Sequence, residues 1–197
     1  MWYRCFHFLF RVLFSTLYRV EIRGAENIPS SGPVVVCCNH INTLDPPLLG
    51  SAMERPVRFM AKRELFDIPV LSFLIRRFGA FPVNRGATDK RALKQALEVL
   101  KQGEVLGVFP EGTRSKSGKL GKAHTGAAFI ALKGGARLVP AAIIGPYRLF
   151  RPIRVHFGSP MDLEDYRGER LTSETLRRVT EKMMEEIQDL LSGACRK

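Results

Sequence analysis

Residues 33–38, PVVVCC, form an uninterrupted apolar run that ends against the polar pair Asn39-His40. A run this short and this apolar reads as a strand buried inside a sheet. Comparable segments recur at 57–60, 80–83, 105–109 and 138–144, while 153–157 alternates in the manner of a half-buried strand. Helix-like stretches stand between them, at 45–53 and at 64–77 with a break at or near Pro69. Another, capped by Thr88, carries Leu93, Ala96, Leu97 and Leu100 on one face and is stopped by Gly103. Two more follow at 125–133 and 173–192, the latter turning Leu176, Val179, Met183, Ile187, Leu190 and Leu191 inward. Repeated strand–helix alternation predicts an α/β fold with a mostly parallel central sheet flanked by helices. The 197-residue length suits one domain, and no repeat or long linker divides it.

Composition narrows the partner. Hydrophobic residues at 45% and charged residues at 25% exclude a disordered chain. The net charge of +12 is unusual, and its excess lies mainly in residues 55–160 rather than in a tail. A basic folded body implies an anionic partner: nucleic acid, a phosphorylated substrate or an anionic membrane. Charge alone does not choose among them. Of the four cysteines, Cys37 and Cys38 are adjacent in a strand and point to opposite faces, and Cys5 and Cys195 lie near the ends. No C-x-x-C pair or zinc spacing is present, which points to a reduced, cytosolic setting.

Residues 1–20, MWYRCFHFLFRVLFSTLYRV, form a separate segment. Charged residues interrupt its apolar run, which falls short of the roughly 20 residues a spanning helix needs. No small-residue cleavage site follows it. On a helical wheel His7, Arg11, Arg4, Ser15 and Arg19 fall within about 120°. Trp2, Phe6, Phe8, Leu9, Phe10, Leu13, Phe14 and Leu17 cover most of the rest. This pattern predicts an amphipathic helix lying in a membrane interface. A helix packed on its own domain is the alternative.

The chemistry-bearing residues lie at two strand ends. His40 and Asp45 are too far apart in phase to meet on one helix or one strand. They can meet across a strand–turn–helix junction, with Asp45 at the N-cap and Pro46-Pro47 in the first helical positions. A carboxylate bonded to one imidazole nitrogen leaves the other free as a general base. The plainer possibility is a capping Asp45 and a loop His40. No G-x-S-x-G elbow is present, so a base here would activate a substrate hydroxyl or water. No metal-ligand spacing is present either. His7, His124 and His156 lack partnering patterns and read as structural or exposed. The second strand end is FPEGTRS, 109–115, where Glu111, Gly112 and Arg114 crowd together in a way that suits an anionic ligand. The glycine-rich stretch beyond it lacks the P-loop pattern, which argues against nucleotide binding.

The motif N-H-x-x-x-x-D at 39–45 followed by F-P-E-G-T-R-S at 109–115 resembles the glycerolipid acyltransferase family. Within it the likeness is greatest to bacterial members that acylate 1-acylglycerol 3-phosphate. Lys62-Arg63-Glu64-Leu65-Phe66 with Pro69, Gly79 and Arg85 resembles the family's second motif, and Val139-Pro140-Ala141 its fourth. These blocks cover about residues 20–160, and the resemblance makes 21–197 the acyltransferase domain. It implies that His40 deprotonates the free glycerol hydroxyl while Asp45 orients and charge-stabilises the imidazole. The hydroxyl then attacks an acyl thioester directly, giving phosphatidic acid without an acyl-enzyme, a step of phospholipid biosynthesis.

By the same resemblance Lys62, Arg85, Gly112 and Arg114 hold the substrate phosphate, and Glu111 and Thr113 order the loop or touch substrate. Arg offers bidentate contacts, Lys a point charge, and Gly a close backbone approach. No metal or cofactor is implied. The co-substrate is acyl-acyl carrier protein or acyl-coenzyme A, both acidic. The remaining partners are the lysophospholipid and a membrane surface met by residues 1–20 and a basic patch, with no nucleic acid. The expected location is peripheral, monotopic, on the cytoplasmic face of the cell membrane, without a transmembrane span. Relatives sharing these motifs acylate glycerol 3-phosphate, other lysophospholipids or lyso-ornithine lipids, so acceptor, chain length, donor and oligomeric state stay open. Two rivals from other classes remain: a hydrolase in which His40 activates water, and a non-catalytic basic protein that binds nucleic acid or anionic lipid.

Overall fold

The computed structural model describes residues 2–84, 89–115, 117–166 and 170–193. It opens with helix α1 (Trp2–Leu17), strand β1 (Arg19–Arg23) and strand β2 (Val34–Cys38), followed by α2 (Asp45–Ser51) and β3 (Val57–Lys62). Helix α3 (Pro69–Arg77), β4 (Phe81–Val83), α4 (Lys90–Lys101) and β5 (Val105–Val108) come next. The chain continues through α5 (Gly126–Lys133), β6 (Arg137–Ile144), β7 (Pro152–Phe157) and α6 (Ser173–Gly193). The seven strands form one sheet in the order β1-β7-β6-β2-β5-β3-β4. Every neighbouring pair is parallel except β6 with β7. This is the mostly parallel α/β domain that the strand–helix alternation predicts.

Strand β2 shows why that alternation arises. It pairs on both sides, with β5 and β6, and all five of its residues are buried. Val35 and Cys37 face a cluster with Ala96 and Leu100 of α4, Ala128 of α5 and Met183 of α6. Val34, Val36 and Cys38 face the opposite cluster with Phe14 of α1 and Leu48 and Leu49 of α2. A strand with helices on both faces has no polar face to show, so its sequence does not alternate. The adjacent cysteines do point to opposite faces. Burial pushes both thiols well up from the ordinary range. They therefore stay protonated when folded and ionise when unfolded above about pH 8.5. Stability from this source is complete below that pH and falls as pH rises, by about 1.4 kcal/mol per unit and thiol. Urea midpoints under reductant at pH 7.5 and pH 10 should show the fall, and equal midpoints would contradict it.

Two local features differ from the sequence reading. Helix α1 ends at Leu17 rather than at residue 20, and Arg19 and Val20, expected in the helix, instead begin an edge strand, Arg19–Arg23, parallel to β7. Its exposed arginines and interleaved Val20 and Ile22 gave no apolar run to find. Helix α4 is capped by Asp89, whose carboxylate accepts from the backbone N–H groups of Arg91 and Ala92; Thr88 lies outside the described residues. The break near Pro69 is real, with a 3-10 turn at Arg63–Asp67 leading into α3.

Arg55 ties its own loop to two others at the amino ends of the strands. Its guanidinium donates to the carbonyls of Pro29, Gly32 and Gly103.

Candidate active site

The site is built at the carboxyl ends of the parallel strands, where open α/β sheets bind ligands. Asn39 directly follows β2, and its side chain continues that strand's pairing. Its amide donates to the Ile143 carbonyl at 3.0 Å and accepts from the Ile143 N–H at 2.7 Å. The next residue, His40, is thereby held at a defined point just beyond the sheet.

The loop FPEGTRS grips His40 from three directions. Glu111, almost fully buried, accepts from the His40 backbone N–H at 2.9 Å and from Gly121 N–H at 2.7 Å. Ser115 N–H donates to the His40 carbonyl at 2.7 Å. Phe109 stacks on the imidazole with centroids 4.2 Å apart, and Phe59 stacks in turn on Phe109. Phe59 fits there only because residue 107 is glycine, since a Cβ would lie 2.3 Å from its ring. Gly112 adopts φ +67, and a Cβ on it would approach the His124 ring at 3.2 Å. Backbone freedom at Gly112 is needed for the loop to turn back under His40.

Asp45 completes the pair. His40 Nδ1 donates to Asp45 Oδ2 at 2.7 Å, as the motif spacing anticipated. Asp45 is not the N-cap, however; it is the first residue of α2, and its carboxylate points backward. Oδ2 also accepts from Ile41 N–H at 2.6 Å and Asn42 N–H at 2.7 Å. Of the two groups a capping Asp45 would accept from, Pro47 has no N–H and the Leu48 N–H donates to the Leu44 carbonyl at 3.0 Å. The other oxygen, Oδ1, accepts from the Tyr147 hydroxyl at 2.6 Å. Burial, and then the Asp45 charge, push Tyr147 far up from the ordinary phenol range, so it serves as a donor. Asp45 itself has no exposed surface. Four donors therefore hold one buried carboxylate, which fixes the imidazole tautomer and its plane.

Beside His40 lies an apolar cavity of about 420 Å³. His40, Phe109, Thr43, Lys62 and Arg114 all line it. It follows β3 from Lys62 to Val57, about 16 Å at the usual rise of a strand. Pro47, Gly50, Leu74, Ile75 and Phe78 contribute to its apolar wall. Helix α1 closes it from outside. Tyr3 Oη accepts from Val57 N–H at 3.1 Å, and His7 Nε2–H donates to the Met53 carbonyl at 2.8 Å. His7 thus faces inward, away from the polar arc to which its spacing assigned it. Among the cations, Arg114 donates to the Thr43 hydroxyl, and Lys62 pairs with Glu64 at 3.1 Å.

A family model described as Acyltransferase matches residues 19–144. The chain belongs to the Acyltransferase family. This acyltransferase is 32% identical over 186 residues to the 1-acyl-sn-glycerol-3-phosphate acyltransferase of Bacillus subtilis (strain 168), covering 91% of this chain and 92% of that one. It is 33% identical over 124 residues to a lyso-ornithine lipid O-acyltransferase of Pseudomonas aeruginosa, covering 62% and 47%. The crystal structure of the 1-acyl-sn-glycerophosphate (LPA) acyltransferase PlsC from Thermotoga maritima superposes with a TM-score of 0.73 at 27% identity. That match covers 95% of this chain and 79% of the other. The α/β architecture and the family read from the motifs are therefore both shown.

The structure brings His40, Asp45, Lys62, Glu111, Gly112 and Arg114 of the acyltransferase into one region. Thr113 is exposed on the same loop, and Arg85 lies outside the described residues. Sequence reasoning missed Tyr147 and the cavity, and it did not foresee Asn39 as the brace of the strand end. Of the remaining histidines, His156 is buried in β7, and burial lowers its pKa.

Proposed function

We propose that the protein transfers a fatty acyl group from an acyl thioester to the sn-2 hydroxyl of 1-acylglycerol 3-phosphate, giving phosphatidic acid. The observation that carries this reading is a buried His40–Asp45 pair opening onto an apolar cavity shared with Lys62 and Arg114. With Nδ1–H committed to Asp45, Nε2 takes the proton of the substrate hydroxyl. The hydroxyl oxygen bonds to the thioester carbonyl carbon, the carbon–sulfur bond breaks, and the departing sulfur takes the proton from the imidazolium. An ester and a thiol result, with no protein nucleophile required. Asp45 stabilises the imidazolium that forms between the two proton transfers. The apolar cavity accepts an acyl chain and excludes water, which favours transfer over hydrolysis.

Arg114 and Lys62, with Arg85 and Gly112 from the sequence motifs, hold the phosphate. The donor thioester is carried by acyl carrier protein or coenzyme A. Among the described residues no helix is long and apolar enough to cross a membrane. Docking to the cytoplasmic face through the N-terminal helix and basic surface completes the reading.

Acceptor choice tests it. The kcat/KM for 1-acylglycerol 3-phosphate should exceed those for glycerol 3-phosphate, uncharged 1-acylglycerol and lyso-ornithine lipid. Arg114→Ala should raise KM for the phosphorylated acceptor about 10- to 100-fold, the worth of a charge-assisted contact. It should leave any turnover of uncharged acceptor within about twofold. Equal loss on charged and uncharged acceptors would remove the phosphate role.

A further inference from the structure

Helix α3 carries apolar side chains on two faces, one more than a helix seated on a domain surface requires. Leu71, Leu74, Ile75 and Phe78 turn inward and line the cavity. Ile68, just before the helix, with Val70 and Phe73 points outward, and these three are 51%, 74% and 53% exposed. Helix α1 has the same character: Phe10 and Phe14 pack inward, while Phe8, Leu9, Val12 and Leu13 are exposed. The two helices touch, because Phe10 meets Phe78 edge-on at 5.2 Å.

A third apolar patch adjoins α1 at its other end. Leu149 and Phe150 are 59% and 70% exposed, and Phe150 N–H donates to the Leu17 carbonyl at 2.8 Å. Phe150 adopts φ +60, a conformation that side-chain-bearing residues seldom hold and that costs about 1 kcal/mol or more. A large exposed aromatic held there is poorly explained by folding alone.

Charge distinguishes the occupant. Arg11 of α1, Arg76 and Arg77 at the end of α3, and Arg148 and Arg151 around Leu149-Phe150 are all exposed. Neither helix nor the segment 145–152 contains an Asp or Glu. Outside those segments exposed Asp67 adjoins Ile68, but the arginines outnumber it. Exposed apolar side chains bordered mainly by arginine match an anionic bilayer, which takes the former at its acyl boundary and the latter at its phosphates.

We propose that α3 and the turn 148–151 are membrane-contacting elements in their own right, seating the protein with α1 on an anionic bilayer around the cavity mouth. This rests on the membrane reading above but adds two elements to it, and it implies that lipid enters the cavity between α1 and α3.

The test is sedimentation with phosphatidylcholine vesicles with and without phosphatidylglycerol, using the full chain. Val70→Ser/Phe73→Ser and Leu149→Ser/Phe150→Ser should each weaken partitioning onto anionic vesicles by about tenfold. Both should keep the wild-type Tm and turn over a short-chain acceptor dispersed below its micelle concentration within twofold of wild type. Single Phe73→Ser, a milder change, should show an intermediate loss. If both double variants partition like wild type while Leu9→Ser/Leu13→Ser fails to bind, α1 is the whole seat and this proposal falls, although the membrane reading stands. Absence of wild-type binding to any vesicle defeats both. Unchanged partitioning combined with turnover lost only with an acyl carrier protein donor would make α3 a carrier-protein surface and overturn the proposal.

Discussion

Substituting Gln for His40 is expected to lower kcat by about 10³-fold while the acceptor KM stays within a few-fold, because general-base catalysis contributes on that scale. The substitution is informative because the backbone of residue 40 carries its own contacts. Its N–H donates to Glu111 and its carbonyl accepts from Ser115, and neither bond involves the side chain. Gln retains enough bulk to lie against Phe109. Ile41, Asn42 and Tyr147 still donate to the Asp45 carboxylate after the imidazole is lost. The Tm should therefore fall by a few degrees at most while turnover collapses. A variant with kcat within tenfold of wild type would show that another group removes the hydroxyl proton.

Asp45→Asn is expected to damage both activity and stability. The carboxylate accepts from His40, Ile41, Asn42 and Tyr147 with no exposed surface. An amide offers one oxygen in place of two and brings two donors of its own, so at least one buried donor loses its partner. Leaving buried partners unmatched and removing a buried charge costs about 3 kcal/mol. The amide also cannot stabilise an imidazolium, and kcat should fall by about 10²-fold or more. Tyr147→Phe separates these effects, since it removes one donor and leaves the carboxylate. It should retain the wild-type Tm within a few degrees, with kcat reduced about tenfold and KM unchanged. Denaturant unfolding beside steady-state kinetics on the two variants checks the split; an Asp45→Asn enzyme as active as Tyr147→Phe would contradict it.

What could be read from the sequence depended on whether a feature was local. The runs around Val34–Cys38 and Val105–Val108 were legible because strands covered on both faces leave no polar positions. Strand β1 was not, because an edge strand with exposed arginines resembles the polar end of the helix before it. His40 and Asp45 could be paired because the motif holds both, but the direction of the Asp45 carboxylate depended on Pro47 lacking an N–H and on the Leu48 N–H bonding back to Leu44. Tyr147 was invisible because it stands 102 residues from Asp45 and belongs to no motif. The grip of FPEGTRS on the His40 backbone was hidden for a related reason. Side-chain-to-backbone bonds between strand ends follow from sheet order, and the sequence does not print that order. The motif left open whether Glu111 orders the loop or touches substrate, and assigned Arg114 to the phosphate. Geometrically Glu111 braces His40 while Arg114 faces the cavity. The cavity itself needed α1, β3 and α3 placed together before it could exist on paper.

The most direct test of the account is product analysis after mixing wild-type or His40→Gln protein with an acyl thioester and 1-acylglycerol 3-phosphate. The account predicts phosphatidic acid from wild type, little free fatty acid beside it, and neither from the variant. Free fatty acid as the main wild-type product, or phosphatidic acid formed equally by the variant, would contradict it.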